Sequence, residues 1–167
     1  MRNVLSLTPP SVRLFFSAFG AAAILAAAAH AAAASPAPAV ALQKTALGTI
    51  LVDSRGRTLY LFEKDRNGVS MCNSSCLAYW PALTSQHAPV AGKGVQQSLL
   101  GLSRARNGVR QVTYAGHPLY TFVGDKKAGQ TTGEGLNNFG AEWYALGVSG
   151  QKVEANPSAS SGSGYGY

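Results

Sequence analysis

Short runs of β-branched and aromatic residues, each bounded by turn-forming residues, set the pattern of the chain between Lys44 and Gly150. Thr49-Ile50-Leu51-Val52-Asp53 and Thr58-Leu59-Tyr60-Leu61-Phe62 read as strands, and Ser54-Arg55-Gly56 between them suits a tight hairpin. Arg110-Gln111-Val112-Thr113-Tyr114, then Ala115-Gly116, then Pro118-Leu119-Tyr120-Thr121-Phe122 repeat that layout. Asn107-Gly108 is a short-turn signal and predicts one more strand upstream, around Leu99 to Arg104. Successive side chains of a strand point to opposite faces. Tyr60 and Phe62 therefore share one face, and Leu59 and Leu61 share the other. Apolar residues on both faces predict a strand covered on both sides. Pro118 lacks a donor and belongs at a strand start or edge. Asn73 to Tyr79 has room for one helical turn.

The likeness of the two stretches extends to a full internal repeat. Gly56-Arg57-Thr58-Leu59-Tyr60-Leu61-Phe62-Glu63-Lys64-Asp65 and Gly116-His117-Pro118-Leu119-Tyr120-Thr121-Phe122-Val123-Gly124-Asp125 both read G-x-x-L-Y-x-F-x-x-D. After spacers of 14 and 17 residues, Trp80-Pro81-Ala82-Leu83 matches Trp143-Tyr144-Ala145-Leu146, and these are the 2 tryptophans of the chain. Two copies are too few for a solenoid, so the expectation is paired halves of one core. The fold class that follows is all-β and mostly antiparallel. Two tandem hairpin-containing repeats, about 47–83 and 109–146, pack as one small domain over 44–150 with at most short helical turns.

The repeated residues support both a structural and a chemical reading. Asp65 and Asp125 stand where each strand ends, and turn chemistry, a carboxylate accepting backbone N–H bonds, is the expected use. The sharper reading is a metal or acid/base pair assembled when the halves meet. Tyr60, Tyr120, Trp80 and Trp143 suit a core at strand spacing, with an aromatic platform for a ring-shaped ligand as the alternative. Cys72 and Cys76 are the only cysteines. In an oxidising compartment they pair as a structural disulfide. The alternative is a copper-binding or thiol-redox pair with His117, His87 or Met71 as a further ligand. His117 itself reads as an exposed turn residue.

Both ends of the chain differ from its middle. Arg2 and Arg13 flank a start followed by an uncharged apolar run from Leu14 to Ala29, and Ala29-His30-Ala31 is a small-x-small cleavage pattern. Residues 1–31 thus read as a secretory signal peptide, with cleavage as late as 34. The run is shorter than the roughly 20 residues of a spanning helix, so no stable membrane anchor is expected after cleavage. Residues 35–43 read as a Pro/Ala linker, and 155–167 as a disordered Ser/Gly-rich tail. The chain carries 14 Lys+Arg against 7 Asp+Glu. Loss of Arg2 and Arg13 still leaves about five excess positive charges. In an exported protein that excess suits an anionic envelope surface or another envelope protein rather than nucleic acid.

At its repeated residues the chain resembles a secreted-repeat family of bacterial lipoproteins and periplasmic proteins with a Y-x-[FWY]-x-x-D motif. The motif stands here as Tyr60-Leu61-Phe62-Glu63-Lys64-Asp65 and Tyr120-Thr121-Phe122-Val123-Gly124-Asp125. Leu47-Gly48-Thr49-Ile50-Leu51-Val52-Asp53, the cysteine pair followed by Trp80-Pro81, and Gln111-Val112-Thr113-Tyr114-Ala115-Gly116-His117-Pro118 extend the likeness. Many members carry a lipobox cysteine, which this chain lacks. The resemblance implies an exported two-repeat domain, periplasmic or secreted, and transfers no activity. The expected function is a non-enzymatic binding or envelope structural module that needs no cofactor, with copper or thiol-redox work as the alternative.

Overall fold

Antiparallel pairing organises both repeats in the same way. In a computed structural model, which describes residues 39–104 and 109–154, β1 (Ala39–Thr45) pairs with β2 (Gly48–Asp53). In the second repeat β5 (Leu100–Arg104) pairs with β6 (Arg110–Tyr114). The predicted signal peptide, the Asn107-Gly108 turn and the C-terminal tail lie outside the described residues. Each second strand turns back through a glycine with positive φ, +77° at Gly56 and +84° at Gly116. A side chain is strained there, which accounts for the repeated glycine. Asp53 closes the first turn by accepting the Arg55 and Arg57 N–H groups at 2.9 Å each.

The repeats then exchange strands. β3 (Tyr60–Phe62) pairs not within its own repeat but with β9 (Ala141–Ala145), matching Tyr60 to Ala145 and Phe62 to Trp143. Residues 120–123 lie in the same way along 79–82: Tyr120 bridges Ala82, and the Val123 N–H donates to the Tyr79 carbonyl at 3.0 Å. Tyr60 and Tyr120 bond each other's backbone at 2.9 and 3.0 Å, at the centre of an approximate twofold relation between the repeats. The second copy of the predicted Y-x-F strand is less regular than the first. It survives as β7 (His117–Pro118) and an isolated bridge at Tyr120. Pro81 explains the difference: it accepts from the Thr121 N–H at 2.9 Å but has no N–H to return. Tyr144 fills the equivalent place opposite Leu61.

The two faces of the exchanged strands fill two buried clusters. Tyr60, Phe62, Trp80, Tyr120, Trp143 and both cysteines form one, while Leu51, Leu59, Leu61, Val112, Leu119 and Leu146 belong to the other. The fold is β-rich and mostly antiparallel, and among the described residues the one α-helix is α1 (Ser74–Leu77). Short pairs complete the sheets. β4 (Val90–Ala91) runs parallel to β1, and β8 (Asn137–Asn138) forms a hairpin with β9.

Two boundaries differ from the sequence reading. Residues 35–43 were expected as a linker, yet β1 begins at Ala39, and Val40 is fully buried in the leucine cluster. Alanine and proline dominate that stretch and hide the two large apolar side chains that anchor it, Val40 and Leu42. Beyond Gly150, the Val153 N–H donates to the Ala145 carbonyl at 2.8 Å, and Val153 packs on the aromatic cluster. Leu59 and Leu119 are equivalent and fully buried. Leu59→Ala and Leu119→Ala should each cost about 2–5 kcal/mol in urea unfolding, by similar amounts.

Candidate functional site at the repeat interface

Each motif tyrosine is held by the other repeat's motif aspartate. Tyr60 Oη donates to Asp125 Oδ2 at 2.7 Å, and Tyr120 Oη donates to Asp65 Oδ2 at 2.9 Å. The remaining carboxylate oxygens do the turn chemistry expected of them. Asp65 Oδ1 accepts the Met71 N–H at 2.7 Å, and Asp125 Oδ1 accepts the Thr132 N–H at 2.9 Å and its hydroxyl at 2.7 Å. Turn chemistry thus accounts for one oxygen of each aspartate and the repeat exchange for the other. Burial, reinforced by the adjacent carboxylate, pushes both phenols well above their ordinary range, so both remain proton donors. Burial also pushes the Asp65 carboxyl up to about 6, against the pull of its Met71 and Tyr120 hydrogen bonds.

Inside this exchange lies a four-ring stack. Phe62, Trp143, Trp80 and Phe122 follow one another at centroid separations of 4.1, 3.9 and 4.3 Å. Tyr60 meets Trp80 edge-on and Tyr120 meets Trp143 edge-on, so each repeat supplies the same T-shaped pair. Both indoles are 0% exposed. A ligand platform built on Trp80 and Trp143 is therefore excluded, and these rings are core. Gly133 shows how tightly the stack is enclosed. A Cβ there would come within 2.8 Å of Trp80 and 2.9 Å of Tyr60.

A family model described as a secreted repeat of unknown function matches residues 41–84 and 102–146. The chain belongs to that family. The two matched segments are the two halves whose strands exchange. No curated protein and no solved structure matches the chain. Among the described residues no helix is long and apolar enough to cross a membrane.

In this secreted repeat the cysteines are joined. The Cys72–Cys76 disulfide closes the turn that carries α1, whose first residues are capped by Asn73 Oδ1 accepting the Cys76 N–H at 3.0 Å. Both cysteines are buried, 4% and 1% exposed, on the aromatic cluster. The copper alternative uses Cys72 and Cys76 as ligands, with His117, His87 or Met71 as a further one. The sulfurs are instead consumed in the bridge, and His117 lines clefts beside Asp65. Among the described residues no three His, Cys, Asp or Glu side chains form a group able to hold a metal ion.

The approximate symmetry fails at the two aspartates. Asp125 is buried beneath the loop that follows it, which is tied down where the Gly129 N–H donates to the Gly56 carbonyl at 2.9 Å. Thr58 Oγ1 donates to the Gln130 carbonyl at 2.6 Å and holds the same loop. The loop after Asp65 is shorter, and Asp65 lines two clefts of about 400 and 320 Å³, both shared with His117. Burial pushes the His117 imidazole down, which favours its neutral form. Sequence reasoning named both residues but not this difference, which depends on loop paths rather than on the motif. It also missed the exposed rings of Tyr79 and Phe139, which lie outside the repeated motif.

Asp65 holds its proton more tightly in the folded chain than in the unfolded one. Its stabilising contribution is full below about pH 4 and is lost as pH rises through about 6. Chemical unfolding across that window should show wild type losing stability relative to Asp65→Asn as pH increases. The buried bridge should resist mild thiols until the chain unfolds. Replacing both cysteines with alanine should cost about 2 kcal/mol, as expected for so short a loop, measured by urea unfolding.

Proposed function

We propose that this chain is an exported, non-enzymatic binding module, periplasmic or secreted, whose partner is an anionic envelope surface. The observation that carries the reading is how charge is sorted in the fold. All seven acidic residues fall within the described part, and only Glu63 and Glu154 are exposed. Asp53 and Asp125 are buried, and Asp65, Glu134 and Glu142 are partly so. Of the eleven described Lys and Arg residues, ten are exposed; Arg57 is partly buried and paired with Asp53 at 2.7 Å, and Lys152 is paired with Glu63 and Glu154 at 3.1 and 2.8 Å. The surface is thus more basic than the net charge of the chain suggests. The motif aspartates offset it little, because Asp125 is buried and Asp65 is partly so.

Arg104 and Arg110 give that surface a focus. They sit directly opposite each other across β5 and β6, a like-charge pairing that is unfavourable without a counterion. Together with Leu102 and Ser103 they line a cleft of about 480 Å³. An anionic headgroup or phosphate-bearing polymer would relieve the repulsion. The purified chain should sediment with phosphatidylglycerol vesicles at low salt, release them as salt rises, and ignore phosphatidylcholine vesicles. Arg104→Ser together with Arg110→Ser should weaken that binding. Salt-independent binding, equal binding to neutral vesicles, or a hydrolytic activity abolished by Asp125→Ala would overturn the proposal.

A further inference from the structure

Tyr79 and Phe139 form an exposed aromatic pair that the buried core does not explain. Tyr79 is 55% exposed and Phe139 is 38% exposed, with ring centroids 6.0 Å apart, and neither belongs to the two buried clusters. Val123, also exposed, lies opposite Tyr79 across the strand pairing. The rings come from different repeats, and both are held by specific means. Tyr79 follows the C-cap of α1, Ala78, just beyond the disulfide, and its N–H donates to the Cys76 carbonyl at 3.0 Å. Phe139 occupies the first turn position of the β8–β9 hairpin. Lys64 Nζ donates to its carbonyl at 3.2 Å from 75 residues away.

The backbone at Phe139 argues for use rather than accident. Its φ is +62° and that of Gly140 is +91°, the pattern of a two-residue turn that favours asparagine or glycine at its first position. A bulky ring in that conformation is strained. The strain keeps an aromatic side chain in solvent, where it adds little to a core. Next to it Asn137 and Asn138 are exposed in β8 and present amide donors and acceptors.

We propose that Tyr79 and Phe139 form a stacking platform for the pyranose rings of a glycan chain. A pyranose offers one face of C–H bonds to the electron-rich face of an aromatic ring, and hydroxyls around its rim to side-chain amides. The size of the patch supports this occupant over a protein. Two partly exposed rings offer on the order of 200 Å², whereas a protein interface takes roughly 800 Å² from each side. The ligand carries no charge, so binding should not depend on salt.

The test is calorimetric or NMR titration of the intact purified chain with the β-1,4-linked tetramer of N-acetylglucosamine, and in a second arm with cellotetraose. Saturable, salt-insensitive binding of either sugar is expected, and the stronger arm tells an amino-sugar glycan from a plain glucan. Tyr79→Ala should weaken binding at least about tenfold. Phe139→Asn should weaken it as much while leaving the thermal unfolding midpoint unchanged or raised, since asparagine suits the turn. The proposal is overturned if neither sugar binds at millimolar concentration or if both variants bind like wild type. It is also overturned if Phe139→Asn lowers the midpoint, which would make the ring structural.

Discussion

The architecture depends on a reciprocal hydrogen bond: each repeat's tyrosine donates to the other repeat's aspartate, at 2.7 and 2.9 Å. A buried phenol needs a partner, and leaving its hydroxyl unpaired costs about 1–3 kcal/mol. A lone repeat carries both a tyrosine and an aspartate, yet the strand exchange places them where only the other copy can supply the match. The same exchange puts Trp80 against Trp143 at 3.9 Å, so the centre of the aromatic cluster is itself a contact between copies. Packing, backbone pairing and side-chain hydrogen bonding therefore all require both halves.

Much of this architecture was legible because strand periodicity is a local property. Tyr60 and Phe62 on one face and Leu59 and Leu61 on the other fall into the two clusters that the alternation implies. What a single sequence lacks is the choice of partner. Two identical motifs show that tyrosine and aspartate recur, but pairing within a repeat and pairing between repeats read the same along the chain. The irregular second strand followed from Pro81, which is visible in the sequence but matters only once it is known to face Thr121. β1 was obscured because Ala39 to Ala41 looks like spacer until Val40 is seen to be buried.

The motif residues and the surface residues divide the work. Repeated tyrosines, tryptophans and aspartates build the interior, and little of them reaches solvent apart from the Asp65 side of the exchange. Features open to a ligand come instead from positions where the repeats differ. Arg104 faces Arg110 only in the second repeat, the disulfide turn before Tyr79 occurs only in the first, and Phe139 caps a hairpin peculiar to the second. A motif search finds the scaffold and passes over such positions, because their meaning lies in exposure and backbone conformation.

The exchange of strands also bears on when this chain can fold. β3 finds its partner in β9, some eighty residues further on, and contacts so distant in sequence make folding slow. An emerging first repeat has no mate for Tyr60 and no second indole to stack on Trp80. It therefore cannot collapse prematurely into a finished half. For a polypeptide of a secreted family, that delay leaves the first repeat without its partner strand until the last strand has been made.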